Sequence, residues 1–491
     1  MKASLRSRRA FAFSGPLSAA LLLALAGPAA HAFQFGQSSG GSAQPPPPVP
    51  VVQPQINGTT FQGSETTGKA TEEVLPLSLD NAIALGLKHN LGLILTRQTG
   101  LSARGQQLDE LQALLPTVDA NIKEAVQQTD LQAQGLRGAG FPVIIGPYGY
   151  TDLRASLNWS LLNLSALQNY LASKHNFAGA KLSVDDARDM VVLTVGNAYL
   201  TCVADKSLID ETQAQVNTSK VSLNQAVDNH QAGTAPLLDE LRARVDYQTQ
   251  QQTLITAQNA YDKDRLALAR AIGLPLEQKF QLTDQAPYAP LDNLDPDTAV
   301  KQALAARSDL KALREQVAAA EHARKAATDE RLPVVAFSGD YGDIGVNVAH
   351  SHGTGNASGT LDVPVFEEAK LRGDAKQAQS QLDQERARLS DIEGQISADV
   401  RDSILDIQAA QKQLQVSRSN VELANEALTE SQERYKAGVD NNLAVSQALA
   451  ALAQADDQYV RSLYQDNVAK LSLARALGVA GNDYKIYVGG K

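Results

Sequence analysis

The chain is poor in several residue types at once: one cysteine, one tryptophan and two methionines in 491 residues, with aromatics at only 5%. A lone thiol, Cys202, excludes an internal disulfide and any Cys-x-x-Cys redox or zinc pair. Positive charge is short too, since 44 Lys and Arg against 54 Asp and Glu leave a formal net charge of -10. That argues against nucleic acid as a partner, because a binder needs a basic face to displace phosphate counterions. No proline follows Pro364, and glycines are few beyond it. The chain also lacks a phosphate-cradling glycine loop and a nucleophile motif of Ser, His and Asp, so neither catalysis nor a cofactor finds support. After the first thirty or so residues no apolar run is long enough to span a bilayer as a helix. Any crossing must then be made by strands closed into a barrel.

What is present begins with an export signal. Lys2, Arg6, Arg8 and Arg9 make a basic start, SAALLLALAG an apolar middle, and Ala30-His31-Ala32 a small-x-small cleavage site. Residues 1–32 read as this signal, in preference to a retained anchor, because the apolar run is short and bounded by Pro16 and Pro28. No cysteine stands at the cleavage site to accept a lipid. Residues 33–76 are rich in Gly, Ser, Thr and Pro, including PPPPVP, and read as a disordered leader acting as a spacer.

The remainder is written twice. LSLDNAIALGLKHNLGLILTRQ from Leu77 aligns with LDPDTAVKQALAARSDLKALRE from Leu294 at a shift of 217, bringing Leu77, Asp80, Ala82, Leu87, Leu93 and Arg97 onto Leu294, Asp297, Ala299, Leu304, Leu310 and Arg314. LALARAIG from Leu266 matches LSLARALG from Leu471 at a shift of 205, so the second copy is 12 residues shorter in between. Such self-similarity marks an internal duplication. The two copies are placed at 77–275 and 294–480, with 481–491 as a C-terminal tail.

Between the matched segments the apolar period changes to two. Leu153, Ala155, Leu157, Trp159 and Leu161 alternate with Arg154, Ser156, Asn158 and Ser160, which predicts a strand with one apolar face. Val118, Ala120, Ile122 and Val126 predict another, Val335, Phe337 and Tyr341 a third, and Leu361, Val363 and Val365 a fourth, with Pro364 tolerable only at its end. Each copy supplies one hairpin. A transmembrane and a soluble half-buried hairpin look alike at this level.

After each hairpin comes a long helix. Residues 165–232 hold no proline and only Gly179 and Gly196, and a continuous helix there would reach about 100 Å. Ile407, Leu414, Val421, Leu428 and Tyr435 recur every seven residues, with Cys202, Ile209, Val216, Leu223 and His230 as counterparts. That is a coiled-coil seam, which accounts for Cys202 and His230 without reactive chemistry. Gly233 and Gly438 stop the helices in a left-handed turn, and Pro236 suits the start of a returning helix.

With L-x-L-D-x-A-I at Leu77 to Ile83 and R-Y-x-A-G at Arg434 to Gly438, the doubled unit of helix, strand hairpin and long helical hairpin resembles the TolC-like outer-membrane efflux channel family over about Leu77 to Gly478. The resemblance implies a mainly α chain with a small transmembrane β part. It further implies a homotrimer whose 12-stranded β-barrel in outer-membrane lipid continues as a periplasmic α-helical tunnel. Implied partners are a periplasmic adaptor and an inner-membrane transporter. The adaptor would contact the tips at Gly233, Thr234, Gly438 and Val439. Where the family commonly has acidic entrance residues, this chain has Ala444 and Gln447; the first-copy matches are Asp239 and Arg242. Asp239 is thus the implied entrance carboxylate, with Tyr435 on a facing tip as its hydrogen-bond partner and Asp440 beside it. The chain departs from the family at the strand-to-helix junctions, LNWSLLNLSA and VPVFEEAKLRG, which lack a full F-D-x-G segment. Trp159 suits either an interfacial belt or a packed junction. His350-Ser351-His352 reads as a polar loop between strands rather than a metal site. A conduit through the outer membrane and a non-conducting periplasmic coiled-coil scaffold both fit the helices; the alternating hairpins favour the conduit.

Overall fold

The computed structural model describes residues 58–66, 68–133, 135, 140, 142–284, 294–440 and 442–488, so the export signal and the polyproline run lie outside it. All described residues belong to the unit Gln53–Lys491. In the first copy, strand β1 (Leu75–Leu77) leads into helices α1 (Leu79–His89) and α2 (Leu91–Gln112). Ser78 and Asn90 start these helices by accepting hydrogen bonds from the N–H groups of Asn81 at 3.2 Å and Gly92 at 2.9 Å, donors that have no partner inside the helix. Strands β2 (Thr117–Asp130) and β3 (Ile144–Leu162) follow, then the long helix α3 (Leu164–Gln231), its return α4 (Leu237–Ile272) and the short strand β4 (Phe280–Leu282). The second copy repeats the order as α5 (Pro296–Ala306), α6 (Ser308–Asp329), β5 (Val334–Gly345), β6 (Ser351–Asp362), α7 (Glu368–Lys436) and α8 (Asn442–Ala476), and a last helix α9 (Ala480–Val488) closes the chain.

The four long strands form one antiparallel sheet in the order β2-β3-β5-β6, so the two predicted hairpins pair side by side through β3 and β5. The strands hold 14, 19, 12 and 12 residues, longer than the ten or so that alternation suggested. The fourth ends at Asp362, so Val363 and Val365, assigned to it from the sequence, lie beyond it; Pro364 has no N–H to offer a ladder. At the unusual first junction only Asn163 separates β3 from α3, and its side chain caps the helix by accepting from the Ala166 N–H at 2.9 Å. Trp159 stays partly exposed and donates its indole N–H to the Leu114 carbonyl at 3.2 Å.

α3 and α7 run for 68 and 69 residues, about 100 Å each, and the heptad seam is real. Ile407, Leu414, Leu428 and Tyr435 are buried, as are Cys202 and Val216, while Val421, Ile209, Leu223 and His230 are half-buried. Gly233 and Gly438 have φ of 74° and 69°. Beside them the Thr234 N–H reaches back to the Asn229 carbonyl at 2.9 Å and the Val439 N–H to the Arg434 carbonyl at 3.0 Å, the bonds that close a helix end through a left-handed residue.

The core joins both copies: Leu77, Ile83, Leu93, Val195, Leu268 and Ile272 pack with Leu471 and Ala474. Tyr199 donates its hydroxyl to the Leu77 carbonyl at 3.0 Å within it. The leader is structured before its assigned end, because Phe61 is buried in this core and β1 pairs in parallel with β4. The described part of the tail belongs to the helix α9, held by the Tyr484 hydroxyl donating to Asp80 at 2.6 Å and by Lys485 on the same carboxylate at 2.5 Å.

These glycines differ in surroundings, which yields a test. A Cβ at Gly438 would meet nothing within 4 Å, whereas at Gly273, with φ of 82°, it would come within 2.6 Å of the His89 Cβ and 2.9 Å of the Glu65 carbonyl. Gly438→Ala should cost about 1–2 kcal/mol from backbone strain alone. Gly273→Ala should cost about 1–3 kcal/mol more from overpacking. Denaturation midpoints in detergent check the order, and equal midpoints would refute it.

Candidate functional site

The hairpin tips bring most of the implied entrance residues into one region. Asp239, in the first turn of α4, is buried with its side chain 3.8 Å from the Arg242 guanidinium. Its backbone carbonyl accepts from the Asn442 side chain at 3.4 Å, and further along the two helices Ser446 donates to the Asp246 carboxylate. The two returning helices are thereby stitched together just inside the turns. Asn442 was not singled out from the sequence, although it is a polar residue where the first copy has Leu237, and that mismatch was the available signal. Tyr435 lies in the apolar seam with Leu428, Val445 and Leu449, and among the described residues its hydroxyl has no hydrogen-bond partner. Within one chain it is Asn442 that reaches Asp239. Asp440 pairs with Arg434 at 3.4 Å, so both tip carboxylates have an arginine nearby. Gln447, Val439, Gly233 and Thr234 are exposed, and Ala444 is half-buried.

Midway along the shaft the balance changes. Asp205 on α3 lies against Asp264 on α4, and burial first, then the neighbouring carboxyl, push the Asp205 carboxyl up to about 7 despite Arg461 nearby. Further toward the tips, Glu211 and Asp456 line a cavity of about 290 Å³ between α3, α7 and α8. Burial raises both carboxyls, and the charge of Asp456 adds to the rise at Glu211. Gln215 donates to Asp456 at 3.1 Å, which offsets part of the effect there.

The sheet has two different faces, because residues directly opposite in an antiparallel ladder point the same way. On one face Val118, Leu157, Gly339 and Ala357 share a row, then Ala120, Ala155, Tyr341 and Gly355. Val118, Ile122, Tyr341 and Leu361 on this face are all at least 67% exposed. Only its rows nearest the hairpin turns carry acids, Asp343 and Glu124. On the other face lie Asp119, Asn121, Lys123, Asp152, Arg154, Ser156, Asp340 and Asn356. There Arg154 bonds to Asp340, to Asp152 at 3.3 Å and to Thr354 at 3.2 Å, and Ser338 pairs with Ser358 at 2.8 Å. Among the described residues no helix is long and apolar enough to cross a membrane. His350 sits in a short turn, its Nδ1 at 2.8 Å from Asn347, and His352, the second residue of β6, lies opposite Ile344.

Known proteins share this arrangement. The sequence profile described as "Outer membrane efflux protein" matches residues 112–274 and 299–479. The probable efflux pump outer membrane protein TtgC of Pseudomonas putida is 23% identical over 334 residues; the match covers 65% of this chain and 65% of TtgC, just under two thirds of that relative's length. The toluene efflux pump outer membrane protein TtgF of the same species is 26% identical over 419 residues, covering 81% of this chain and 82% of that one. The crystal structure of the CmeC outer membrane channel of Campylobacter jejuni superposes with a TM-score of 0.74 at 16% identity, over 86% of this chain and 92% of that one, which establishes the shared fold.

The raised Asp205 carboxyl has a signed consequence for stability. Its folded pKa of about 7 lies above the ordinary carboxylate value of 3.8, so the folded state favours the protonated form. Stability falls as pH rises between those two values and is level above the upper one. Asp205→Asn should therefore raise the melting temperature at pH 8 and leave it nearly unchanged at pH 3.5. Melts at the two pH values check this, and an equal shift at both would refute it.

Proposed function

Because the chain belongs to the outer membrane efflux protein family, we propose that three copies close their sheets into one twelve-stranded barrel in the outer membrane and continue it as a helical tunnel through the periplasm. The observation that carries this reading is the inverted sheet: an apolar face left exposed, a hydrogen-bonded polar face, and edge strands β2 and β6 whose outer edges meet no strand among the described residues. In water such a face and such edges invite aggregation. In a closed barrel the edges pair, the apolar face meets lipid and the polar face lines a water-filled lumen. Four strands are too few to close alone, so the channel is an assembly of copies. A coiled-coil scaffold without a pore leaves the apolar face unexplained.

The protein conducts cargo outward and does no chemistry on it. The tips at Gly233, Thr234, Gly438 and Val439 receive a periplasmic adaptor, which links the tunnel to an inner-membrane transporter, and that pump selects what is exported. Asp239, Arg242, Tyr435, Asp440 and Gln447 surround the periplasmic entrance. Its carboxylates are partnered by Arg242 and Arg434, so its preference for cations is modest.

Mass measurement after detergent extraction, with heat-modifiable migration on a gel, should give a trimer, and a soluble monomer would overturn the reading. Gly438→Trp places its ring in open space at the turn, so the trimer should persist while export is lost. Normal export in that variant removes the docking role, and loss of the trimer would leave Gly438 as a helix stop only. Replacing Asp239 and Asp440 together by Asn frees two arginines, so planar-bilayer recordings should show ion preference moving from cations toward anions. An unchanged preference would take both residues out of the entrance.

A further inference from the structure

The polar face of the sheet contains a built charge site that the tips do not explain. In the three rows from Asp119 to Lys123 its acids and bases are Asp119, Lys123, Asp152, Arg154, Asp340 and His352, a balance of -1 per chain with the histidine neutral that would be -2 without the arginine. Arg154 is not a loose surface side chain. It stands on β3, bonds Asp152 of its own strand and Asp340 on β5, and reaches across β5 to Thr354 on β6 at 3.2 Å. The residue directly opposite it on β5 is Gly342, where a Cβ would come within 2.6 Å of the Arg154 Cα and 3.0 Å of its Cβ. The close approach of the two strands excludes a side chain at this position, so the place opposite the arginine stays bare. A planar, permanently charged fork with five donors suits bridging of this kind, which a flexible ammonium does not reproduce. Lys123, the other cation of these rows, sits instead over the Tyr150 ring at 5.6 Å.

We infer that Arg154 sets the charge of this stretch of the barrel lumen and so tunes how readily charged cargo delivered by the pump passes it: with the arginine in place the stretch carries -1 per copy and favours cations weakly, and without it -2 per copy and it favours them strongly. The inference rests on the barrel reading, in which this face lines the lumen and the site recurs once per copy as a ring. Rings of fixed charge are how wide pores discriminate between ions. Such a ring would act on cargo after it has passed the tips, independently of how the entrance is held.

Charged thiol reagents test it. The only native thiol, Cys202, is buried, so a Ser156→Cys variant carries one accessible thiol, on the polar face in the row of Asp119 and Asp340 and two residues from Arg154. Purified trimer in detergent is labelled at low ionic strength with a trimethylammonium-bearing and a sulfonate-bearing methanethiosulfonate, and the ratio of the two rates reads the local potential. Adding Arg154→Gln should raise the cation-to-anion ratio about fivefold, the scale Coulomb's law gives for removing one charge ~8 Å away in water. Asp340→Asn should lower the ratio instead, and it keeps the test informative if the Arg154 variant does not assemble. A ratio unmoved by either substitution in an intact trimer overturns the inference. Should the introduced thiol resist both water-soluble reagents yet react with an apolar maleimide, the polar face does not line water, and the barrel reading itself fails.

Discussion

A helix of 68 residues holds together in water only if partners cover it along its whole length, and most of this structure follows from how α3 is covered. α4 returns along it from the tip, while α6 and α8, both from the second copy, lie against it as well. Where the approach is closest the chain has glycine. A Cβ at Gly179 would stand 3.2 Å from the Ala312 carbonyl oxygen on α6, and one at Gly196 only 2.5 Å from Leu471 on α8. Arg475 adds an ion pair to Asp186 at 2.5 Å across the same boundary. The duplicated unit is therefore not two domains in series. The second copy covers what the first exposes: α3 is buried by α6 and α8 as well as by its own α4, whereas α7 packs mainly on α5, α6 and α8 of its own copy.

The sheet obeys the same rule with the solvents exchanged. Along the helices apolar residues turn inward and charges outward; in the four strands the polar residues bond to one another while Val118, Ile122 and Leu361 stay uncovered. One sequence can satisfy both rules because period and polarity change together at the junctions, within the single residue Asn163 in the first copy. The polar face differs from a merely wet surface in having directional bonds across three strands, which hold Arg154 at a fixed place.

Much of this was legible in the sequence. The first long helix was bounded at 165–232 and runs from Leu164 to Gln231, because proline-free heptads and a left-handed glycine are strong local signals. The hairpins were legible for the same reason, though the pairing of β3 with β5 was not, since register between hairpins is settled in three dimensions. The leader misled because its composition is that of a spacer: the buried ring of Phe61 and bonds such as the Thr71 N–H to Gln278 and the pairing of β1 with β4 fix it, and composition averages over a few such anchors. Nine residues of α9 carry too few periods to register as a helix. At the tip, Asp239 and Arg242 were found through the duplication, while Asn442 carried only the weak signal of a polar residue in place of Leu237, because its partner is a backbone carbonyl, which no residue type announces.

The net charge of -10 is unevenly placed, and the placement fits a conduit better than a surface. At the tips Asp239 and Asp440 each have an arginine within 4 Å, and in the sheet Arg154 answers Asp152 and Asp340. In the middle of the shaft Asp205, Asp264, Glu211 and Asp456 form no ion pair among the described residues, and burial raises Asp205, Glu211 and Asp456. A carboxyl held near neutrality is tolerated between packed helices because it can keep its proton instead of demanding a counterion. Such groups would be poor guardians of an opening, since their charge follows the surrounding pH. Fixed arginine pairs do not have that weakness, because guanidinium stays charged throughout the physiological range. At the two ends, where cargo would enter and leave, the carboxylates named above thus have fixed cationic partners, and the raised, unpaired carboxyls lie in the walls between them.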